Sequence, residues 1–142
     1  MSRAVLFDVD GVLIHGYHFR PEKRVPWDVN LAADLGVDPD LFRTRFIFDV
    51  FVKQVIVGRR DVLEALGTVL PGLGYAGTPE SFLDYWLSHD SVLNRDLLAI
   101  VRRLQQSGAG RLYVATNQEH RRADWLMTRL GLGDLFEDKL EA

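Results

Sequence analysis

Ala4-Val5-Leu6-Phe7-Asp8-Val9-Asp10-Gly11-Val12-Leu13-Ile14 is the stretch that orders the rest of the chain. Its opening residues are apolar without interruption and favour a strand, the pattern of burial on both faces of a parallel sheet. A polar Asp-x-Asp-Gly step follows at the strand's end. Two readings of that step compete. An Asp-Gly pair between apolar runs fits the tight turn of a β-hairpin. Two carboxylates at the carboxyl end of a strand also fit the ligand edge of an open α/β sheet. A calcium loop is excluded, because Val12 and Leu13 stand where its next ligand and its glycine belong.

Downstream, residues 15–27 are polar and irregular, with Gly16, Pro21 and Pro26. Apolar residues then recur at helical spacing. Leu31, Ala32 and Leu35 predict a first helix closed by Gly36. Asp38-Pro39 opens a longer one through Leu41, Phe42, Phe46, Val50, Phe51 and Val55, ended by Gly58. Asp61 caps a short helix to Leu70, and Thr78-Pro79-Glu80 starts another to about Ser88. Phe42, Phe46, Phe48 and Phe51 are too dense to be all exposed and are expected to form a local core. Trp27, Trp86 and Trp125 fit amphipathic packing. Asn94 to Gln106 predicts a helix with Leu97, Leu98, Val101 and Leu104 on one face. Leu112 to Ala115 is the second buried-strand candidate, and Thr116-Asn117 opens a final helix that stops at Gly131. Residues 134–142 are expected to add no element. Strands joined through helices make an α/β chain with a parallel sheet.

Composition narrows the function. The chain has 142 residues, 47% of them hydrophobic, a net charge of -3 and no cysteine. Disulfides and thiolate metal sites are excluded. The charge gives no global support for nucleic-acid binding, and no apolar run reaches the roughly 20 residues that span a bilayer. A soluble, cytoplasmic protein without membrane or nucleic-acid partners is the expectation. Fourteen arginines stand against three lysines, Lys23, Lys53 and Lys139, so chemistry that needs a lysine has few candidates.

Carboxylates two residues apart can divide labour. One attacks phosphorus as a nucleophile, and the other protonates the leaving oxygen and later activates water. Both, with a backbone carbonyl, offer the hard oxygens that Mg²⁺ prefers, and Gly11 allows a sharp turn beside the substrate. Phe7-Asp8-Val9-Asp10-Gly11-Val12-Leu13 resembles the first motif of the haloacid dehalogenase-like (HAD) hydrolases. Val114-Ala115-Thr116-Asn117 resembles their second motif, and helices inserted directly after the first motif resemble their small cap. The resemblance implies a HAD-like Rossmannoid parallel sheet, incomplete and C-terminally short, at residues 1–15 and 90–142, with a helical cap at 16–89. It implies that Asp8 forms an aspartyl-phosphate and that Asp10 is the general acid/base. It further implies that Asp8 and the Asp10 carbonyl hold Mg²⁺, and that Thr116, Asn117 and Gly11 receive the phosphate. The second aspartate points to phosphate rather than halide chemistry. Thr116 has a second reading, as the cap of a Thr-x-x-Glu box ending at Glu119.

The family's third motif, a lysine, and its fourth, an acidic pair, are not recognised. Lys139 has no following proline, and Asp134, Glu137 and Asp138 read as a solvated tail. The chain is therefore expected to be the front part of a HAD protein, shortened by truncation, frameshift or trimming. With two recognisable strands, its open edges are expected to pair copies into a homodimer. Three functions stay open: a Mg²⁺-dependent phosphatase of a small phosphorylated metabolite, a sugar phosphomutase, and a non-catalytic fragment. His15 and His18 read as ordinary loop histidines, His89 and His120 as surface residues. Arg20, Lys23, Arg24, Arg43 and Arg45 could face an anion from the cap; Arg121-Arg122 follow Thr116 closely and could touch a phosphate, but are expected to face solvent.

Overall fold

The computed structural model describes residues 3–15, 20–24, 26–116 and 118–141, the last four by backbone alone. In chain order its elements are β1 (Ala4–Phe7), α1 (Leu31–Leu35), α2 (Pro39–Phe42), a π-helix (Arg43–Val55), α3 (Val62–Val69), α4 (Pro79–His89), α5 (Arg95–Ser107), β2 (Arg111–Thr116), α6 (His120–Thr128) and β3 (Asp138–Glu141). They form two compact units, residues 1–25 with 91–142, and residues 26–90. No described helix is long and apolar enough to cross a membrane.

The first unit is built on a parallel sheet in the order β1-β2-β3. Ala4 lies opposite Arg111 and Phe7 opposite Val114, so the two motif strands are direct neighbours. Two sequence expectations need correction. The tail is not a solvated end: its backbone pairs along β2, with Tyr113 opposite Asp138 and Thr116 opposite Glu141. A strand of four residues has no signature of its own, but β2 offers it a ready edge. Nor is β1 buried on both faces, since Leu6 is 54% exposed. Only the face carrying Leu112 and Val114 joins the core, where Val101, Leu126, Leu132 and Phe136 pack with them. Leu97, Leu98 and Leu104 pack against that core as their spacing predicts.

In the second unit the caps are those read from sequence. Asp38 accepts the Asp40 and Leu41 amides, Asp61 those of Leu63 and Glu64, and Thr78 that of Ser81. The long helix differs. From Arg43 its hydrogen bonds widen by a residue, so that the Ile56 amide reaches the Phe51 carbonyl at 2.9 Å. Phe42, Phe46, Val50 and Val55 are all buried. At about 100° per residue an α-helix would set Val55 about 140° around the axis from Phe42; the wider helix returns both to one face. Phe48, expected in the core, falls off that face and is 60% exposed. Trp27 stacks on Trp86 at 5.2 Å and meets the Phe42 edge at 5.7 Å.

Candidate functional site

Because β1 and β2 run parallel in this register, Asp8 leaves the sheet at the end where Thr116 finishes β2. Asp8 is exposed, and its Oδ1 accepts the Val9 amide at 2.8 Å. The chain then curls rather than forming a hairpin. The Val12 and Ile14 amides both return to the Val9 carbonyl, at 3.1 and 3.0 Å, and the Gly11 amide donates to Ile14 at 2.8 Å. This curl needs φ of 76° at Gly11, a conformation in which a Cβ is strained. Val9, Leu13 and Ile14 are fully buried and anchor it. Asn94 binds the curl to the start of α5: its amide donates to the Leu13 carbonyl at 2.8 Å, and its side-chain nitrogen to Val12 at 3.1 Å.

Asp10 emerges from the curl into an ionic contact with the segment after β2. Arg122 grips it with both terminal nitrogens, Nη2 on Oδ1 at 2.8 Å and Nη1 on Oδ2 at 3.0 Å. The Gln118 side chain closes the group, donating through Nε2 to Asp10 Oδ2 and accepting from Arg122 Nη1 through Oε1. Burial raises the Asp10 pKa, but the hydrogen bonds and charge of Arg122, with the Gln118 bond, outweigh it and hold the carboxyl below its ordinary value. Asp10 is therefore an ionised carboxylate in a positively charged fork.

Arg122 is held in turn by α6. Glu119, not Thr116, caps this helix: it is buried, and its two oxygens accept the Arg121 and Arg122 amides at 3.0 and 3.1 Å. The expected helix start at Thr116 is thus displaced to His120, because Thr116 belongs to the sheet. Thr116 is 6% exposed and its Oγ1 finds no hydrogen-bond partner among the described residues. A buried hydroxyl left unpaired costs about 1–3 kcal/mol, so a ligand at this sheet edge has a donor waiting for it.

The site therefore collects Asp8, Asp10, Gly11 and Thr116 on two adjacent strand ends. Asn117 and the Lys139 side chain lie outside the described residues, as does His18. Asp134 and Glu137 sit at the other end of the sheet, where Glu137 donates its amide to Leu112 and Gln105 donates to the Asp134 carbonyl. Among the described residues no three His, Cys, Asp or Glu side chains cluster as a metal site. Arg43, expected to face an anion, is committed to Asp28 at 2.6 Å and Asp40 at 3.0 Å. Sequence reasoning missed Gln118 and the pairing of Arg122 with Asp10, and the Arg122 side chain, expected to face solvent, is only 14% exposed. The available signal was only their position just after the second motif strand, where the chain leaves the sheet edge that carries Asp10.

The family model of haloacid dehalogenase-like hydrolases matches residues 2–142. A HAD family enzyme from Bacteroides thetaiotaomicron, solved as a magnesium complex, superposes with a TM-score of 0.65 at 17% identity, over 98% of this chain and 66% of that one. YfnB of Bacillus subtilis, described as a HAD-hydrolase and solved bound to magnesium, gives a TM-score of 0.54 at 16% identity, over 99% of this chain and 65% of that one. The chain spans just under two thirds of the length of each. No curated protein matches it significantly.

Proposed function

Because the chain belongs to the haloacid dehalogenase-like hydrolases, we propose that it serves Mg²⁺-dependent hydrolysis of a small phosphorylated metabolite, with Asp8 as nucleophile. The observation that carries this reading is the unpartnered Thr116 hydroxyl, buried at the strand end next to the Asp8-Val9-Asp10 turn. A carboxylate nucleophile, a second carboxylate and an unsatisfied donor on neighbouring strand ends suit an anionic ester better than a neutral one.

In the proposed reaction an Asp8 carboxylate oxygen attacks phosphorus and the bond to the leaving oxygen breaks. Asp10, ionised in the free protein, takes up a proton from solvent as substrate binds and gives it to the leaving oxygen. Water then attacks the aspartyl-phosphate, Asp10 accepts its proton, and inorganic phosphate leaves with the Asp8 carboxylate restored. Thr116 donates its hydroxyl to a phosphate oxygen throughout. The helical insertion, residues 16–89, would be the cap.

The donors fit a magnesium ion in part. The exposed Asp8 carboxylate and the Asp10 backbone carbonyl are hard oxygens, and Mg²⁺ completes its shell with phosphate and water. The Asp10 carboxylate is taken by Arg122 and is not a ligand in this arrangement. When bound, the ion would offset repulsion between an anionic nucleophile and an anionic phosphate. The two solved HAD proteins that contain magnesium support this choice.

The test is phosphate release from an aryl phosphate in Mg²⁺ buffer, compared with Asp8→Asn. Turnover is expected from the parent chain and a loss of at least about a thousandfold in the variant, the scale of removing a covalent nucleophile. Turnover that survives Asp8→Asn overturns the assignment.

A further inference from the structure

We propose that Arg122 is a movable phosphate ligand, which pairs with Asp10 in the free protein and passes to the phosphate of a bound substrate. This role deepens the phosphomonoester chemistry proposed for the same site and presupposes it.

The geometry supplies three grounds. First, the guanidinium fork matches a carboxylate and a phosphate alike, two parallel N–H···O bonds in either case. Asp10 fills both positions now, at 2.8 and 3.0 Å, as an internal stand-in for an anionic ligand. Second, two backbone amides of the first turn of α6 are closed to a phosphate. Glu119 already occupies the Arg121 and Arg122 amides. The side chain of Arg122 is thus the cationic group that this helix presents toward the Asp10 turn. Third, Asp10 need not be stranded when Arg122 leaves it. Gln118 donates its own Nε2 bond to Asp10 Oδ2, although its Oε1 also accepts from Arg122 Nη1, and Asp10 is 35% exposed, so water can reach it. Freed from the fork, the Asp10 carboxyl can turn to the leaving oxygen, as the proposed reaction requires.

A fixed clamp, in which Arg122 only positions Asp10, would show the same contacts. The two are separated by a double-mutant cycle read by binding, not turnover. Inorganic phosphate is titrated calorimetrically, in Mg²⁺ buffer, into the parent chain, Asp10→Asn, Arg122→Gln and the double variant. Under exchange, Asp10→Asn releases the guanidinium and tightens phosphate binding about tenfold, the scale of a charge-assisted bidentate bond. In the Arg122→Gln background the same change is expected to alter affinity by less than about twofold. Equal tightening in both backgrounds means that Asp10 merely repels the anion, and overturns the exchange while leaving the phosphate site standing. Absence of phosphate binding in all four overturns the phosphate reading itself. Circular dichroism melts accompany each variant. Should Arg122→Gln fail to fold, Arg122→Lys takes its place. It keeps the charge without the fork, so exchange predicts a tightening between the two limits and repulsion predicts the full parent value.

Discussion

Arg122 and Asp10 meet across 112 residues of sequence, and their paired contact joins the curl after β1 to the first turn of α6. Its pH dependence follows from the sign of the Asp10 shift. Burial alone would raise the pKa, and the Arg122 bonds and charge, with Gln118, bring it below the ordinary 3.8. A carboxyl depressed in the folded state adds stability above its unfolded pKa and loses it as pH falls through the folded one. The urea midpoint is therefore expected to fall on acidification below about pH 4, and Asp10→Asn is expected to flatten that part of the profile. Asp10 is a third exposed, so the contribution is held to about 1 kcal/mol or less. A profile identical in the variant would count against the pair.

Thr116 gives a prediction in which stability and binding move in opposite directions. Replacing it with valine keeps the shape and removes an unsatisfied buried hydroxyl. Thermal stability is expected to rise by up to about 1 kcal/mol, since an unpaired polar group is costly to bury. Phosphate affinity is expected to drop about tenfold, the scale of one charge-assisted bond, and Thr116→Ser to retain it. A valine variant that melts earlier would mean that the hydroxyl is used by the fold.

Much of this arrangement is legible in the chain. Asp8-Val9-Asp10-Gly11 and Thr116 mark the two strand ends because each strand is a short apolar run closed by a polar residue. Asp38, Asp61, Thr78 and Asn94 mark helix starts because capping is local chemistry. The misreadings share a cause, which is that they depend on partners distant in sequence. β3 exists because β2 has an edge, and nothing in Asp138–Glu141 announces it. Arg122 looks like a solvent-facing helix residue until the first motif is folded against it. Glu119 as a cap is unusual by residue type, and Thr116 three positions earlier was the stronger local candidate.

The π-helix makes a prediction that an α-helix would not. Phe46 is fully buried, 5.0 Å from the Phe42 ring centroid, whereas Phe48 is 60% exposed. Phe46→Ala is expected to cost about 3–5 kcal/mol, as truncation of a core aromatic does. Phe48→Ala is expected to stay within about 0.5 kcal/mol, as surface changes do. Val55→Ala, at the far end of the same face and 4% exposed, should be clearly destabilising too. An α-helical register over the whole stretch would turn Val55 away from Phe42 and make it nearly neutral. Denaturant midpoints of the three variants decide between the registers.

Tyr85 offers a check on the helical unit at high pH. Its hydroxyl donates to Asp34 Oδ2 at 2.7 Å, and its ring stacks on His89 at 3.9 Å. Partial burial, the bond to Asp34 and the negative charge of Asp34 together raise its pKa to about 12. A group whose pKa is raised on folding gives stability that is complete below its unfolded value, about 10 for tyrosine. That stability is lost as pH rises toward the folded value. The phenolate absorbance assigned to Tyr85, as the difference between the parent chain and Tyr85→Phe, is thus expected to appear near pH 12. Asp34→Ala removes both the acceptor and the charge, so it is expected to bring that transition back toward 10. The parent chain and Asp34→Ala should differ in melting temperature at neutral pH and converge as the phenol ionises. A Tyr85 transition that does not move on substitution of Asp34 would show that the hydroxyl is free of it in solution.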